Sequence, residues 1–147
     1  MPNVQRELWE EEVIFVLYCA FWYAWCLESY WGEATSLRGY AFCEKLNGRL
    51  TEVDSEAKRN FLKTTTISID KHRWLAASDI VTEGKWRWEI SGNIVENHTD
   101  WQDGNPDNEG SLGPDADCLV MGSWVNYGWD DVECFNLHRP ICEIQGM

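Results

Sequence analysis

A chain of 147 residues, 44% of them hydrophobic, is long enough for one domain with a real core and too apolar to be disordered. A formal net charge of −13 excludes a nucleic-acid partner, because phosphate binding needs Lys and Arg. The charge is also uneven, since from Glu89 to His138 there is no Lys or Arg but eleven acidic residues.

The first 27 residues form a region of their own. Val13 to Leu27 is apolar and uncharged, yet shorter than a comfortable membrane span. It follows Glu10-Glu11-Glu12, where a signal peptide would carry positive charge. With Cys19 and Cys26 inside it, the segment reads as a strand or hairpin stapled by a local disulfide. The alternative for residues 1–18 is an N-terminal extension or a degenerate signal or anchor; no membrane insertion is expected.

From Gly32 to Leu46, Ala34, Leu37, Ala41, Phe42 and Leu46 recur at helical spacing, with Gly48 as the stop. Arg49 to Val53 alternates like a strand. A second helix is expected over 55–65, with Asp54 or Ser55 as N-cap, Glu56 in the first turn, and Ala57, Phe61 and Leu62 as the apolar side. Trp74-Leu75-Ala76-Ala77 reads as a buried strand, Lys85 to Trp88 as another, and Ser91-Gly92 as a turn. The Gly-, Asn-, Asp- and Pro-rich stretch from Trp101 to Asp117 is long for a loop in a compact domain, which points to function. Cys118 to Gly122, Trp124 to Tyr127 and Arg139 to Ile144 supply closing strands. Helices early and strands late indicate an α+β fold.

Six cysteines without a C-x-x-C pair favour disulfides over zinc, and hence a secreted or extracellular setting. Six allow fifteen pairings, and the spacing does not choose among them. The acidic run has two readings, a solvated face or a set of oxygen ligands for a hard divalent cation. Asn105-Pro106-Asp107-Asn108-Glu109 favours the second. Asn105 and Asp107 can point the same way if the intervening X–Pro bond is cis. Trp129-Asp130-Asp131 then offers two carboxylates in tandem after a bulky anchor.

Taken in order, these elements resemble the C-type lectin domain family over about residues 19–145. The matching residues are Cys43, Glu56, Phe61, the Trp74–Ala77 strand, Glu83-Gly84, Trp86, Trp88, Ser91-Gly92, Trp101, Gly104, Asn105-Pro106-Asp107, Asp117-Cys118, Trp129-Asp130-Asp131, Cys134 and Ile141-Cys142-Glu143. The resemblance implies bridges Cys43–Cys142 and Cys118–Cys134. Cys19–Cys26 would be the extra bridge of the longer family form, within a lectin domain spanning 19–147. It also implies Ca2+ held by Asn105, Asp107, Asp130 and Asp131, which then ligates two neighbouring sugar hydroxyls directly. A second, structural calcium site would map onto Asp79, Glu83, Asn108 and Asp117; turn capping is the other reading of Asp79 and Glu83. The family expects an acid two residues before Cys118, where this chain has Ala116 in a longer loop, and Asp115 is the nearest substitute.

The amide-then-carboxylate order of Asn105 and Asp107 resembles the galactose-type members, so glycans of the galactose or N-acetylgalactosamine kind are the expected partners. No aromatic follows Asp107 within the loop. Trp124, with Tyr127 behind it, is the candidate to stack on a sugar, against the alternative of core packing. Sites of this kind are shallow and single-site affinity weak, so several copies presented together are needed, as in a homo-oligomer. Asn97-His98-Thr99 is an N-glycosylation sequon. His72, His98 and His138 are far apart in sequence and read as ordinary. A module that binds a protein rather than a sugar is the alternative function, supported by Ala116. A glycosidase ranks below both, since an acid kept neutral needs burial and this loop reads as exposed.

Overall fold

Strand β4 (Arg73–Ser78) is buried along its whole length, as its apolar run requires of a strand covered on both faces. It pairs antiparallel with β5 (Arg87–Trp88) and β6 (Cys118–Met121), and β6 pairs antiparallel with β7 (Trp129–Val132). β8 (Arg139–Pro140) joins β4 in parallel, completing a five-stranded sheet. Side-chain alternation then sorts the core into two layers. Trp74, Ala76, Cys118 and Val120 face one way, and Leu75, Ala77, Leu119 and Met121 the other. The computed structural model describes residues 3–9, 12–18, 35–66, 72–122 and 127–144, with backbone alone for 3–9, 12–18, 65–66 and 144.

Helix α1 (Ser36–Lys45) covers the first layer. Thr35 caps it by accepting the Arg38 N–H, and Asn47 at φ 57° turns the chain out one residue before the expected Gly48. Its buried side is Ser36, Gly39 and Cys43, whereas the expected Leu37 and Ala41 face water. The reason is proximity: a Cβ on Gly39 would lie 3.3 Å from Pro140 Cβ, so the helix turns its small residues towards β8. β3 is Gly48–Leu50, shorter than the strand expected to reach Val53, and pairs antiparallel with β9 (Cys142–Ile144).

Helix α2 (Glu56–Thr66) contributes to the second layer, with Ser55 Oγ accepting the Lys58 N–H at 3.1 Å. Ala57 is exposed and Lys58 is buried, the reverse of what hydrophobicity predicts. An ion pair explains the inversion. The Lys58 ammonium meets the buried Glu143 carboxylate, which also accepts from Arg49 Nε and the Glu52 N–H at 3.1 and 3.2 Å. Glu52 in turn accepts from the Ile90 and Ser91 N–H groups, tying the turn after β5 to this network.

The Cys43–Cys142 bridge joins α1 to β9, and Cys118–Cys134 joins β6 to the segment after β7. Cys19 and Cys26 lie outside the described residues. A hairpin does form near the N-terminus, from β1 (Asn3–Trp9) and β2 (Glu12–Tyr18), earlier in the chain than expected, and β2 runs beside β9. Among the described residues no helix is long and apolar enough to cross a membrane. The α+β class stands.

Removing one partner of a buried pair leaves a charge uncompensated. Lys58→Met should therefore cost about 3 kcal/mol, the low end of the usual range because Arg49 still faces Glu143. Urea denaturation of this variant and of Lys58→Met/Glu143→Leu checks it, the double variant recovering most of the loss. Tyr40 supplies a pH test. Burial, aided by Glu89 and Glu52, pushes its phenol above the ordinary range. A raised folded value means stability is intact below the unfolded value of about 10 and falls as pH climbs beyond it. Tyr40→Phe should flatten that alkaline decline in Tm.

Candidate functional site

The 101–117 loop is anchored where it begins. The Trp129 N–H donates to the Asp100 carbonyl at 2.7 Å, and the Gln102 N–H donates to the Trp129 carbonyl at 3.1 Å. The Trp129 ring is buried, edge-on to Trp88 and Trp101 with centroids 5.8 Å from each. This lays the loop against β7, a strand that two adjacent aspartates conceal from propensity reasoning. Val120 and Leu119 of β6 pair with Asp130 and Asp131 and fix it.

The Asn105–Pro106 bond is cis. Asn105 Nδ2 donates to Asp130 Oδ1, and the Asp131 carboxylate accepts the Asp107 and Asn108 N–H groups at 3.1 and 2.6 Å. The Asp107 carboxylate is exposed and accepts from the Glu109 N–H. Asn105, Asp107, Asp130 and Asp131 thus meet in one place. Burial raises the Asp131 carboxyl above its ordinary value, with a contribution from Asp107, against the lowering by its N–H donors.

A second group adjoins the first. Asn108 Oδ1 accepts from the Ala116 N–H at 2.9 Å, and the Ala116 methyl is buried. The Asp79 N–H donates to the Asp117 carbonyl, and Asp79 Oδ2 caps the turn by accepting the Gly84 N–H. Burial, with Glu83 and Asp117 nearby, pushes the Asp79 carboxyl up to about 6. Asp117 is raised by burial and then by Asp115, Glu83 and Asp131. Asp115 itself is exposed. Trp124 lies outside the described residues, and Tyr127 is a buried core residue in a turn at φ 61°, not a strand residue open to a sugar.

Two features escaped the sequence. His72 and His138 come together, with ring centroids 5.2 Å apart, and His138 also packs on Trp74. Glu133 is buried and clasps the loop, accepting from the Ser111 N–H and hydroxyl and from Asn136 Nδ2. The Ser111 hydroxyl, with the other donors, holds its carboxyl down at about 2. In the sequence it is one more acid in an acidic run.

The lectin C-type domain model matches residues 34–144 of this chain. The chain belongs to the C-type lectin domain family. Perlucin of Haliotis laevigata is 30% identical to this lectin domain over 126 residues, 84% of this chain and 74% of perlucin. The mouse scavenger receptor C-type lectin carbohydrate-recognition domain has the same fold, with a TM-score of 0.75 at 22% identity over 97% of this chain and 96% of that one. So has a calcium-independent type II antifreeze protein, with a TM-score of 0.69 at 19% identity over 99% and 98% of the two chains. Members of this family are binding proteins, and the domain is not an enzyme.

The donor set fits calcium. Amide and carboxylate oxygens suit a hard cation, and a carboxylate has about four acceptor positions, so the N–H bonds to Asp130 and Asp131 leave capacity. Asp79 Oδ1, buried without a hydrogen-bond partner, is an oxygen that a cation would satisfy. Among the described residues no three Asp, Glu, His or Cys side chains form a ready cage, so a cation held here would need amide or backbone oxygens as well.

The Glu133 clasp depends on Gly110. A Cβ there would lie 2.7 Å from Glu133 Oε1 and 2.8 Å from the Gly113 carbonyl. Gly110→Ala should cost about 1–3 kcal/mol by overpacking, read by urea denaturation, and should speed amide exchange at Ser111. Ser111→Ala, which keeps the N–H bond, should cost about 1 kcal/mol.

Proposed function

We propose that this domain binds carbohydrate through calcium held by Asn105, Asp107, Asp130 and Asp131, with preference for galactose-type sugars. The observation that carries the reading is the meeting of Asn105-Pro106-Asp107 with Asp130-Asp131 across the loop and β7. When bound, calcium supplies a hard centre that takes two neighbouring sugar hydroxyls as ligands. The protein's own part is to orient acceptors and one donor. Asp107 and Asp130 can accept from those hydroxyls, and the Asn105 amide can also donate. The backbone N–H bonds hold the Asp131 carboxylate fixed, so little side-chain freedom is left to lose on binding.

Asp79, Glu83, Asn108 and Asp117 are proposed as a second, structural calcium site, supported by the unpartnered Asp79 Oδ1. Asp115 is the reserve acid for the position Ala116 leaves without a carboxylate, and Trp124 the proposed stacking ring. The two bridges support a secreted protein. We take 19–147 as the lectin domain, with residues 1–18 as an extension, and several copies acting together as the route to useful avidity.

Ala116 also favours a second reading, recognition of a protein surface without sugar. Its methyl is buried and its N–H already bound to Asn108, and the calcium-independent antifreeze relative has the same fold. Retention on immobilised galactose and mannose separates the two. The calcium reading expects retention on galactose in calcium, release by chelator, and at least a tenfold loss in Asp107→Ala. Folded, disulfide-bonded protein that passes through both resins would move the assignment to protein recognition.

A further inference from the structure

A cleft of about 480 Å3 opens between the start of α2 and the segment following β5. Glu52, Asp54, Trp88, Asn93, Glu96 and Asn97 are among its lining residues, and none of them belongs to the 101–117 loop or to β7. Its walls combine fixed and solvent-exposed hydrogen-bonding groups. The Glu52 carboxylate is held by the Ile90 and Ser91 N–H groups at 2.8 and 2.9 Å, while Asp54, Asn93 and Glu96 are exposed. Val53, Trp88 and Ile94 add apolar surface, and among the described residues no Lys or Arg lines it. Three lining carboxylates, of which Asp54 faces the Lys58 ammonium at 3.8 Å, disfavour an anionic occupant and accept from hydroxyl groups. The chemistry therefore fits a neutral, hydroxyl-rich molecule with an apolar face.

Such a molecule has an attachment point on the rim. Asn97 is exposed, His98 bends the chain beside it at φ 57°, and both residues line the cleft. Thr99 completes the sequon, and its carbonyl is held by Arg59 Nη1 at 3.1 Å. The compartment that forms the two disulfides is also the one that modifies such sequons.

We infer that Asn97 carries an N-linked glycan whose first, neutral N-acetylhexosamine units lie in this cleft. In the secretory pathway, the Asn97 amide nitrogen attacks C1 of an oligosaccharide carried on a polyprenyl diphosphate. The N–C1 bond forms, the C1–O bond to the diphosphate breaks, and the amide proton is released as the diphosphate leaves. The attached sugar then lies against the 91–97 segment, on residues distinct from those of the proposed calcium site.

The test uses the full chain secreted from insect or mammalian cells. Peptide mass spectrometry should find a glycan on Asn97, absent from Asn97→Gln and Thr99→Ala, and an unmodified Asn97 would overturn the assignment. For the seating, the protein is compared intact, trimmed by an endoglycosidase to a single N-acetylglucosamine, and stripped by an amidase. The trimmed form should keep the intact Tm and slow amide exchange at Ser91 to Val95. The stripped form and Asn97→Gln should lose both, with Tm lower by roughly 2–4 °C. A glycan whose complete removal changes neither quantity would overturn the seating, whatever the outcome of the galactose experiment.

Discussion

Burial of the Trp129 indole joins the hydrophobic core to the acidic loop. Removing a side chain of this kind from water favours folding by roughly 1.5–3 kcal/mol, and the ring is held edge-on by Trp88 and Trp101. The same residue's backbone takes both hydrogen bonds that moor Asp100 and Gln102. The next two residues are Asp130 and Asp131. Apolar packing of one residue of the strand thus fixes like charges on the two that follow it, where electrostatics alone would drive them apart.

Two devices keep that cluster ordered. Backbone N–H groups are directed at the carboxylates, Asp107 and Asn108 on Asp131 and Gly84 on Asp79. Covalent and hydrogen-bonded ties then hold the loop from below, with Cys118–Cys134 at its end and Glu133 on Ser111 at its middle. Asp79 and Asp131 remain shifted towards the protonated form, so their N–H donors offset the burial only in part, while Asp117 is raised by burial and by its acidic neighbours. Glu133 goes the opposite way because its hydrogen bonds outweigh its burial. Acids a few residues apart therefore differ in character through their immediate donors rather than through the net charge of the region.

Motifs with a local physical cause were legible in the sequence. These include the buried run of β4, the Ser55 cap, the cis Asn105–Pro106 turn and the length of the loop. The order of these motifs carried the family and both described disulfides. What was not legible depends on partners distant in sequence. Lys58 is buried because Glu143 lies opposite, and α1 is rotated because Gly39 lets Pro140 approach. The Asp-rich β7 is a strand because β6 pairs with it. His72 and His138 meet because β4 and β8 run side by side. The site followed the same rule: its residue types were visible, while the Glu133 clasp and the backbone donors on Asp131 required the folded chain.

The Cys43–Cys142 bridge spans 99 residues and holds two Cα atoms 5.3 Å apart, one on α1 and one on β9. Every candidate calcium ligand, from Asp79 to Asp131, lies between those cysteines. Tension applied to the chain before Cys43 and after Cys142 therefore runs through the sulfur–sulfur bond and bypasses the segment that holds the loop. The domain is a mechanical shunt: a pull that straightens the flanking chain leaves the candidate site unloaded, and a reductant removes that protection.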